Sequence, residues 1–287
     1  MRIAVVGAAG QLGRELCRLL PPADTIPLTR SDADLHDTAA VCTRLAAVRP
    51  DVVVNCAADN RVDAAEADAR DAVAVNALGV AALARHCRDH GALLVHVSTD
   101  YVFDGRATRP YTEDDPVGPL GAYARTKLAG ELFAQALVPR HAILRVAGLY
   151  AEGGSRGKGG NFVDKVLAQA RVGKPLRIVA DQITAPTWAR DVAEAMVRLV
   201  PRLAAGSAPT GVYHVTNAGA CSWYEFAQAA LEVARVPAEI TPIDTAELAA
   251  PAPRPAYSVL ANARLSAIGE PPLRSWHDAL AAYLAGA

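Results

Sequence analysis

The sequence predicts an α/β chain built on a doubly wound parallel sheet, with a smaller C-terminal lobe. Three observations carry that expectation. Short β-branched runs without strict alternation are separated by Ala/Leu/Arg-rich helical stretches through the first half. A glycine string follows the first run directly and opens the first helix. After Tyr150 the rhythm breaks into glycine- and proline-rich segments.

Taken in order, "RIAVVG" reads as a strand, "QLGRELCRLL" as a helix, "TIPLTR" as a strand and "AAVCTRLAAVRP" as a helix. "DVVVNCAA" is a strand and "ARDAVAVNALGVAALARHCRDHG" one long helix. "LLVHVSTDYVF" and "HAILRVAGLY" are strands on either side of the helix "YARTKLAGELFAQAL". With right-handed crossovers this order gives a Rossmann-type sheet. Beyond it, "AEGGSRGKGGN" is a glycine-rich loop, "FVDKVLAQARVGKP" a helix ending near Gly173, and "LRIVADQITAPT" a strand and turn. "WARDVAEAMVRLV" is amphipathic and should pack back on the sheet, and "GVYHVTN" is a further strand. "SWYEFAQAALEVAR" and "WHDALAAYLAG" are helices of the smaller lobe. Residues 1–150 plus about 184–218 are assigned to the first domain, and about 151–183 plus 219–287 to the second.

Composition narrows the class. The 287 residues carry a net charge of −1 and 21% charged residues, which gives no basic face for nucleic acid. No apolar run reaches the ~18 residues of a membrane span. The five cysteines are odd in number and include no C-x-x-C, so a reducing cytoplasm is expected and a disulfide or zinc framework is not. No metal site is expected, although a surface glutamate such as Glu15 could join one across a dimer. "GSRGKGG" is not a phosphate loop, because no glycine lies five residues before Gly157 and Gly159 follows Lys158. His96, between Val95 and Val97, reads as a packed histidine, and Trp188, Trp223 and Trp276 as core or interface residues.

"VVGAAGQLG" sets Gly7, Gly10 and Gly13 at the strand-to-helix turn, with Gln11 and Leu12 opening the helix whose N–H groups would face a pyrophosphate. The second strand ends at Leu28-Thr29-Arg30. Arg30 could meet a 2′-phosphate, which favours NADPH, while the nearby Asp32 and Asp34 keep NADH open. Ser98 and Thr99 close a strand at the same edge, and Tyr123 and Lys127 lie one helical turn apart at the start of the next helix. Lys127 and a nicotinamide charge would favour the Tyr123 phenolate and lower its pKa. Tyr123 could then pass its proton to a carbonyl oxygen held by Thr99.

These residues resemble an extended short-chain dehydrogenase/reductase, and more closely the dTDP-4-dehydrorhamnose reductases. The resemblance spans nearly the whole chain through "GAAGQLG", "NCAADNRVDAAE" with Asn55 and Glu66, "STDYVFDG", Tyr123/Lys127, "GGNF", "DQITAPT" and "RPAYSVL". It implies reduction of the C4 ketone of a dTDP-4-keto-6-deoxyhexose by NAD(P)H, with Thr99, Tyr123 and Lys127 as the catalytic set. It places Ala57 and Ala58 along the cofactor and Asp34-Leu35 by the adenine. Asp100, Val102, Asn161, Gln182, Thr187 and Arg254 fall on the nucleotide-sugar side. A homodimer is one assembly left open. A different nucleotide-linked keto sugar, or a non-catalytic NADP-binding regulatory subunit, are the alternatives; retention of both Tyr123 and Lys127 argues against the second. An epimerase or dehydratase ranks lower, since Thr99 is followed by the single acid Asp100. Asp59 and Asn60 depart from the family pattern, as does Gly148, which stands where a Trp is common. The loop over 152–160 looks longer than usual and could supply the missing wall.

Overall fold

The computed structural model describes residues 1–154 and 160–286. The 155–159 part of the glycine-rich loop, including the rejected phosphate-loop segment around Gly157–Gly159, therefore lies outside the described residues. The first half comprises β1 (Ile3–Val6), α1 (Gln11–Leu19), β2 (Thr25–Leu28), α2 (Thr38–Val48), β3 (Val52–Asn55), α3 (Val62–Ala67), α4 (Arg70–Val73), α5 (Val80–His90), β4 (Leu93–Thr99), α6 (Ala122–Leu137), β5 (His141–Val146) and β6 (Leu149–Tyr150). The second comprises α7 (Phe162–Arg171), β7 (Leu176–Val179), β8 (Ile183–Thr184), β9 (Thr187–Trp188), α8 (Ala189–Ala204), β10 (Gly211–His214), β11 (Cys221–Ser222), α9 (Trp223–Ala234), β12 (Ile240–Ile243), α10 (Thr245–Leu248), α11 (Ala263–Ala267) and α12 (Trp276–Leu284).

Six strands pair in parallel in the order β2-β1-β3-β4-β5-β10. The strand order reverses between β1 and β3, so the crevice outside their carboxyl ends is the place where such a sheet takes a ligand. β1 and β3 are buried along their full length, in keeping with their Val-rich sequences. Successive side chains go to opposite faces. Ile3, Val5, Val52, Val54, Leu93 and Val95 pack under α1 and α8, while Ala4, Val6, Val53, Leu94 and Ile143 pack under α2, α5 and α6. The amphipathic segment after Trp188 thus folds back on the sheet as its pattern indicates. A separate apolar cluster joins α7, α9 and α12 around Phe226, Tyr150 and Trp188. No described helix is long and apolar enough to cross a membrane.

Three expected elements are divided. The long helix over 69–91 is interrupted by a π-helical stretch, Ala74–Gly79, between α4 and α5. The strand through Phe103 stops at Thr99, whose Oγ accepts the Tyr101 N–H at 3.2 Å and starts a 3₁₀ turn over Asp100–Val102. The strand over 141–150 breaks at Gly148, which has φ +51°; β6 then pairs with β9 instead of continuing in the sheet. Glu15 is also not a surface residue: it is buried on α1 and accepts from Arg18 at 2.9 Å.

α6 is fixed to β5 by a buried ion pair. Arg145 Nη2 donates to Glu131 Oε2 at 2.7 Å and Nε to Oε1 at 3.0 Å, with both side chains almost fully enclosed. Removing one partner strands the other charge without solvent. Glu131→Gln is therefore expected to cost about 3–5 kcal/mol of stability, read from urea unfolding. A loss below about 1 kcal/mol would place this pair among weakly coupled surface bridges.

Candidate active site

The glycine turn is built for close approach. Gly7 has φ +81°, and a Cβ there would stand 2.7 Å from the Ala57 nitrogen. A Cβ on Gly13 would stand 2.3 Å from the Gly7 carbonyl oxygen, so helix and strand can pack at this distance only with glycine. α1 begins at the exposed Gly10 with no side-chain cap and no acid in its first turn. Its orphan N–H groups, at Gln11 and Leu12, suit an anionic diphosphate. Ala57 and Ala58 leave β3 across the crevice from this turn, Ala58 exposed. At the end of β2, Arg30 is largely exposed and its Nε donates to Asp34 Oδ2 at 3.1 Å. Burial raises the Asp34 carboxyl, but hydrogen bonds from His36 and Arg30 outweigh it and hold its pKa at about 2. Leu35 is buried in the core below.

The second group of residues comes from β4 and α6. The N-cap of α6, Gly121, has no side chain, and Glu66 of α3 supplies the missing acceptor: the Ala122 N–H donates to its Oε2 at 2.7 Å. That contact fixes the first turn, which carries Tyr123. Lys127, one turn on, is enclosed to 1% exposure and donates to the Val97 carbonyl oxygen at 2.7 Å. Burial lowers its pKa to about 8, against the opposing effect of Glu131.

Tyr123 is partly buried, with Tyr101 edge-on at 6.1 Å between ring centroids. Its phenol is shifted upward, by burial first and then by the Asp100 carboxylate, while Thr99 beside it works the other way. The net shift is therefore opposite to the lowering expected from Lys127. Thr99 also differs from expectation, since its hydroxyl donates to Asp100 Oδ1 at 2.9 Å. Asp100 Oδ2 is buried with no hydrogen-bond partner, and burial raises the Asp100 pKa to about 6.

Of the residues expected on the sugar side, Arg254 joins this group. Its Nη2 donates to Asp63 Oδ2 at 2.8 Å and its Nη1 to the Ala252 carbonyl at 2.9 Å, with the guanidinium beside Tyr101. Val102 is fully buried and packs with Phe103, Tyr111 and Leu260. The other three have their side chains engaged within the fold. Asn161 caps α7 and donates to Ala151 O and Tyr283 Oη; Gln182 donates to Thr245 Oγ; Thr187 donates to Ala185 O. The space beyond Gly148 is occupied by Pro186 and Trp223, whose atoms lie 3.1 and 3.4 Å from where a Cβ would stand. Trp188 is buried, and Trp223 and Trp276 are half-buried against the third cluster.

Sequence reasoning missed Asn76. On the π-helical stretch, its amide accepts from Asp59 N (2.9 Å) and donates to Asp59 O (2.8 Å) and Thr126 Oγ (3.1 Å). Thr126 in turn donates to the Tyr123 carbonyl at 2.8 Å. A polar residue within an otherwise apolar helical stretch was the available signal.

The residues 1–287 match the RmlD substrate binding domain. The chain belongs to that family. It is 43% identical over 283 residues to a dTDP-4-dehydrorhamnose reductase of Streptomyces griseus, covering 97% of this chain and 91% of the relative. It is 40% identical over 285 residues to the spore coat polysaccharide biosynthesis protein SpsK of Bacillus subtilis (strain 168), covering 99% and 96%. Among solved structures, a dTDP-4-dehydrorhamnose reductase from Bacillus anthracis str. Ames in complex with NADP superposes with a TM-score of 0.93 at 32% identity, covering 100% of this chain and 99% of that one. The parallel sheet is thus the one expected from the sequence.

The raised Asp100 pKa carries a stability consequence. The folded chain favours the protonated form, so the cost of burying Asp100 is absent below pH about 4, grows through pH about 6 and is complete above it. Asp100→Asn is expected to stabilise the protein by about 3 kcal/mol at pH 8 and to have little effect at pH 4. Thermal unfolding at the two pH values checks it; equal effects at both would contradict it.

Proposed function

We propose that this protein is an NAD(P)H-dependent sugar-nucleotide reductase acting on the C4 ketone of a dTDP-4-keto-6-deoxyhexose, with dTDP-4-dehydro-L-rhamnose as substrate and dTDP-L-rhamnose as product. One observation carries the reading: Thr99, Tyr123 and Lys127 gather at the carboxyl edge of the sheet next to a glycine turn fitted for a diphosphate. The near full-length likeness to a relative named for this reaction supports the choice of substrate.

In this reading Gly7, Gly10, Gln11, Leu12 and Gly13 hold the cofactor diphosphate, Ala57 and Ala58 flank it, and Asp34-Leu35 border the adenine. Arg30 takes a 2′-phosphate, which makes NADPH the preferred donor; the likeness to a structure complexed with NADP supports this. When bound, the nicotinamide supplies a hydride. Tyr123 donates its proton to the ketone oxygen, Thr99 orients that oxygen, and Lys127 binds the nicotinamide ribose and favours the phenolate. For Thr99 to donate, its hydroxyl must turn from Asp100. Arg254 supplies a fixed charged fork for the nucleotide diphosphate. Asp100, Val102, Asn161, Gln182 and Thr187 lie on the sugar side, the buried ones contributing through backbone and shape. Residues 1–150 with about 184–218 form the cofactor domain, and 151–183 with 219–287 the sugar-nucleotide lobe. A cytoplasmic homodimer fits this role.

The test is NADPH oxidation with dTDP-4-keto-6-deoxyglucose, with and without a 3,5-epimerase. Oxidation that requires the epimerase is expected, with Tyr123→Phe lowering kcat by about 10²–10⁴-fold. Oxidation without the epimerase would point to a different 4-keto sugar, and none with either sugar would overturn the substrate. Arg30→Ala is expected to raise KM for NADPH by about tenfold and to leave KM for NADH within about twofold. An equal effect on both cofactors would remove Arg30 from the 2′-phosphate.

A further inference from the structure

His96 lies fully enclosed on β4, between Asn55 of the neighbouring strand and Lys127 of α6. Asn55 Oδ1 accepts the Ala57 N–H at 3.1 Å, which fixes the amide one way round. Its Nδ2 therefore faces His96 Nδ1, at 3.1 Å, as a donor. Burial, and then the Lys127 charge, hold His96 neutral. A neutral imidazole has one N–H, and with Nδ1 accepting it must be on Nε2. Nε2 stands 3.5 Å from Lys127 Nζ. The ring thus offers the amine a donor where an ammonium wants an acceptor.

Glu131 and Cys56 work the other way on the amine, against its burial. Val97 O takes one N–H. Glu131, on the same helix, is shared with Arg145 of β5. Cys56, just past β3, is a neutral thiol whose pKa burial pushes up to about 12.

We propose that His96, locked by Asn55 as its Nε2–H tautomer, is a positioning residue that readies Lys127 to release a proton during ketone reduction. The inference rests on the assignment of Tyr123 and Lys127 given above. The Tyr123 O–H bond breaks and its proton joins the ketone oxygen, while a bound nicotinamide would supply the hydride to the ketone carbon. A Lys127 N–H bond then breaks and its proton restores the phenol. The neutral amine accepts the His96 Nε2–H as a hydrogen bond until solvent reprotonates it. His96 keeps its own proton throughout.

Long-range ¹H–¹⁵N correlation spectra of the ¹⁵N-histidine-labelled protein between pH 6 and 9 read the tautomer directly. A neutral, Nε2-protonated His96 at every pH is expected; an Nδ1–H ring or an imidazolium overturns the proposal. The pH profile of kcat in His96→Phe gives the second readout. Its alkaline limb should move up by about one pH unit, with KM for NADPH within about twofold. A lower kcat with an unmoved limb would make His96 a packing residue only and overturn the proposal. Should His96→Phe not fold, the wild-type spectra still decide. Full activity in Lys127→Met would instead overturn the underlying assignment, whatever tautomer His96 shows.

Discussion

The arrangement depends on the docking of one helix. α6 carries Tyr123 and Lys127, and polar contacts, two of them fully buried, seat it from four sides. Glu66 of α3 caps its first turn, Asn76 of the π-helical stretch reaches Thr126, Val97 of β4 receives Lys127, and Arg145 of β5 holds Glu131. Apolar packing alone is tolerant of small slides and rotations, whereas a buried hydrogen bond lost to such a slide leaves an unsatisfied group. The polar contacts therefore fix the register of the helix, and with it the height of the phenol above the sheet edge. Groups held in advance need no reorganisation when reaction begins.

The same enclosure sets the electrostatics. Burial moves Asp100, Tyr123 and His96 toward their neutral forms and brings Lys127 to about 8. Perturbed values of this kind concentrate where chemistry is done. In this chain they occur beside the crevice between β1 and β3, where the winding of the sheet leaves room for a ligand.

Much of this was legible in the sequence. Val-rich runs become buried parallel strands because such strands need apolar residues on both faces. The four-residue spacing of Tyr123 and Lys127 becomes one helical face because the helix repeat permits nothing else. What stayed hidden depends on contacts between segments far apart in the chain. Asn76 faces Asp59 and Thr126 only once helices and loop are assembled. The Thr99 hydroxyl donates a hydrogen bond to Asp100 because the strand stops there and a tight turn folds the carboxylate back. Glu15 has the sequence neighbourhood of a surface residue, yet it is buried once the fold is assembled. The absence of a side chain at Gly148 could be read, but that Pro186 and Trp223 border its space could not.

The fold itself, and not the ligand, sets the position of α6. Amide hydrogen exchange across α6, with and without NADPH, tests it most directly. The amides of residues 126–131 are expected to exchange only by global unfolding whether or not cofactor is present, while protection at residues 10–13 rises on binding. Exchange of α6 by local opening, slowed only when NADPH is added, would show that the cofactor assembles the site and would contradict it.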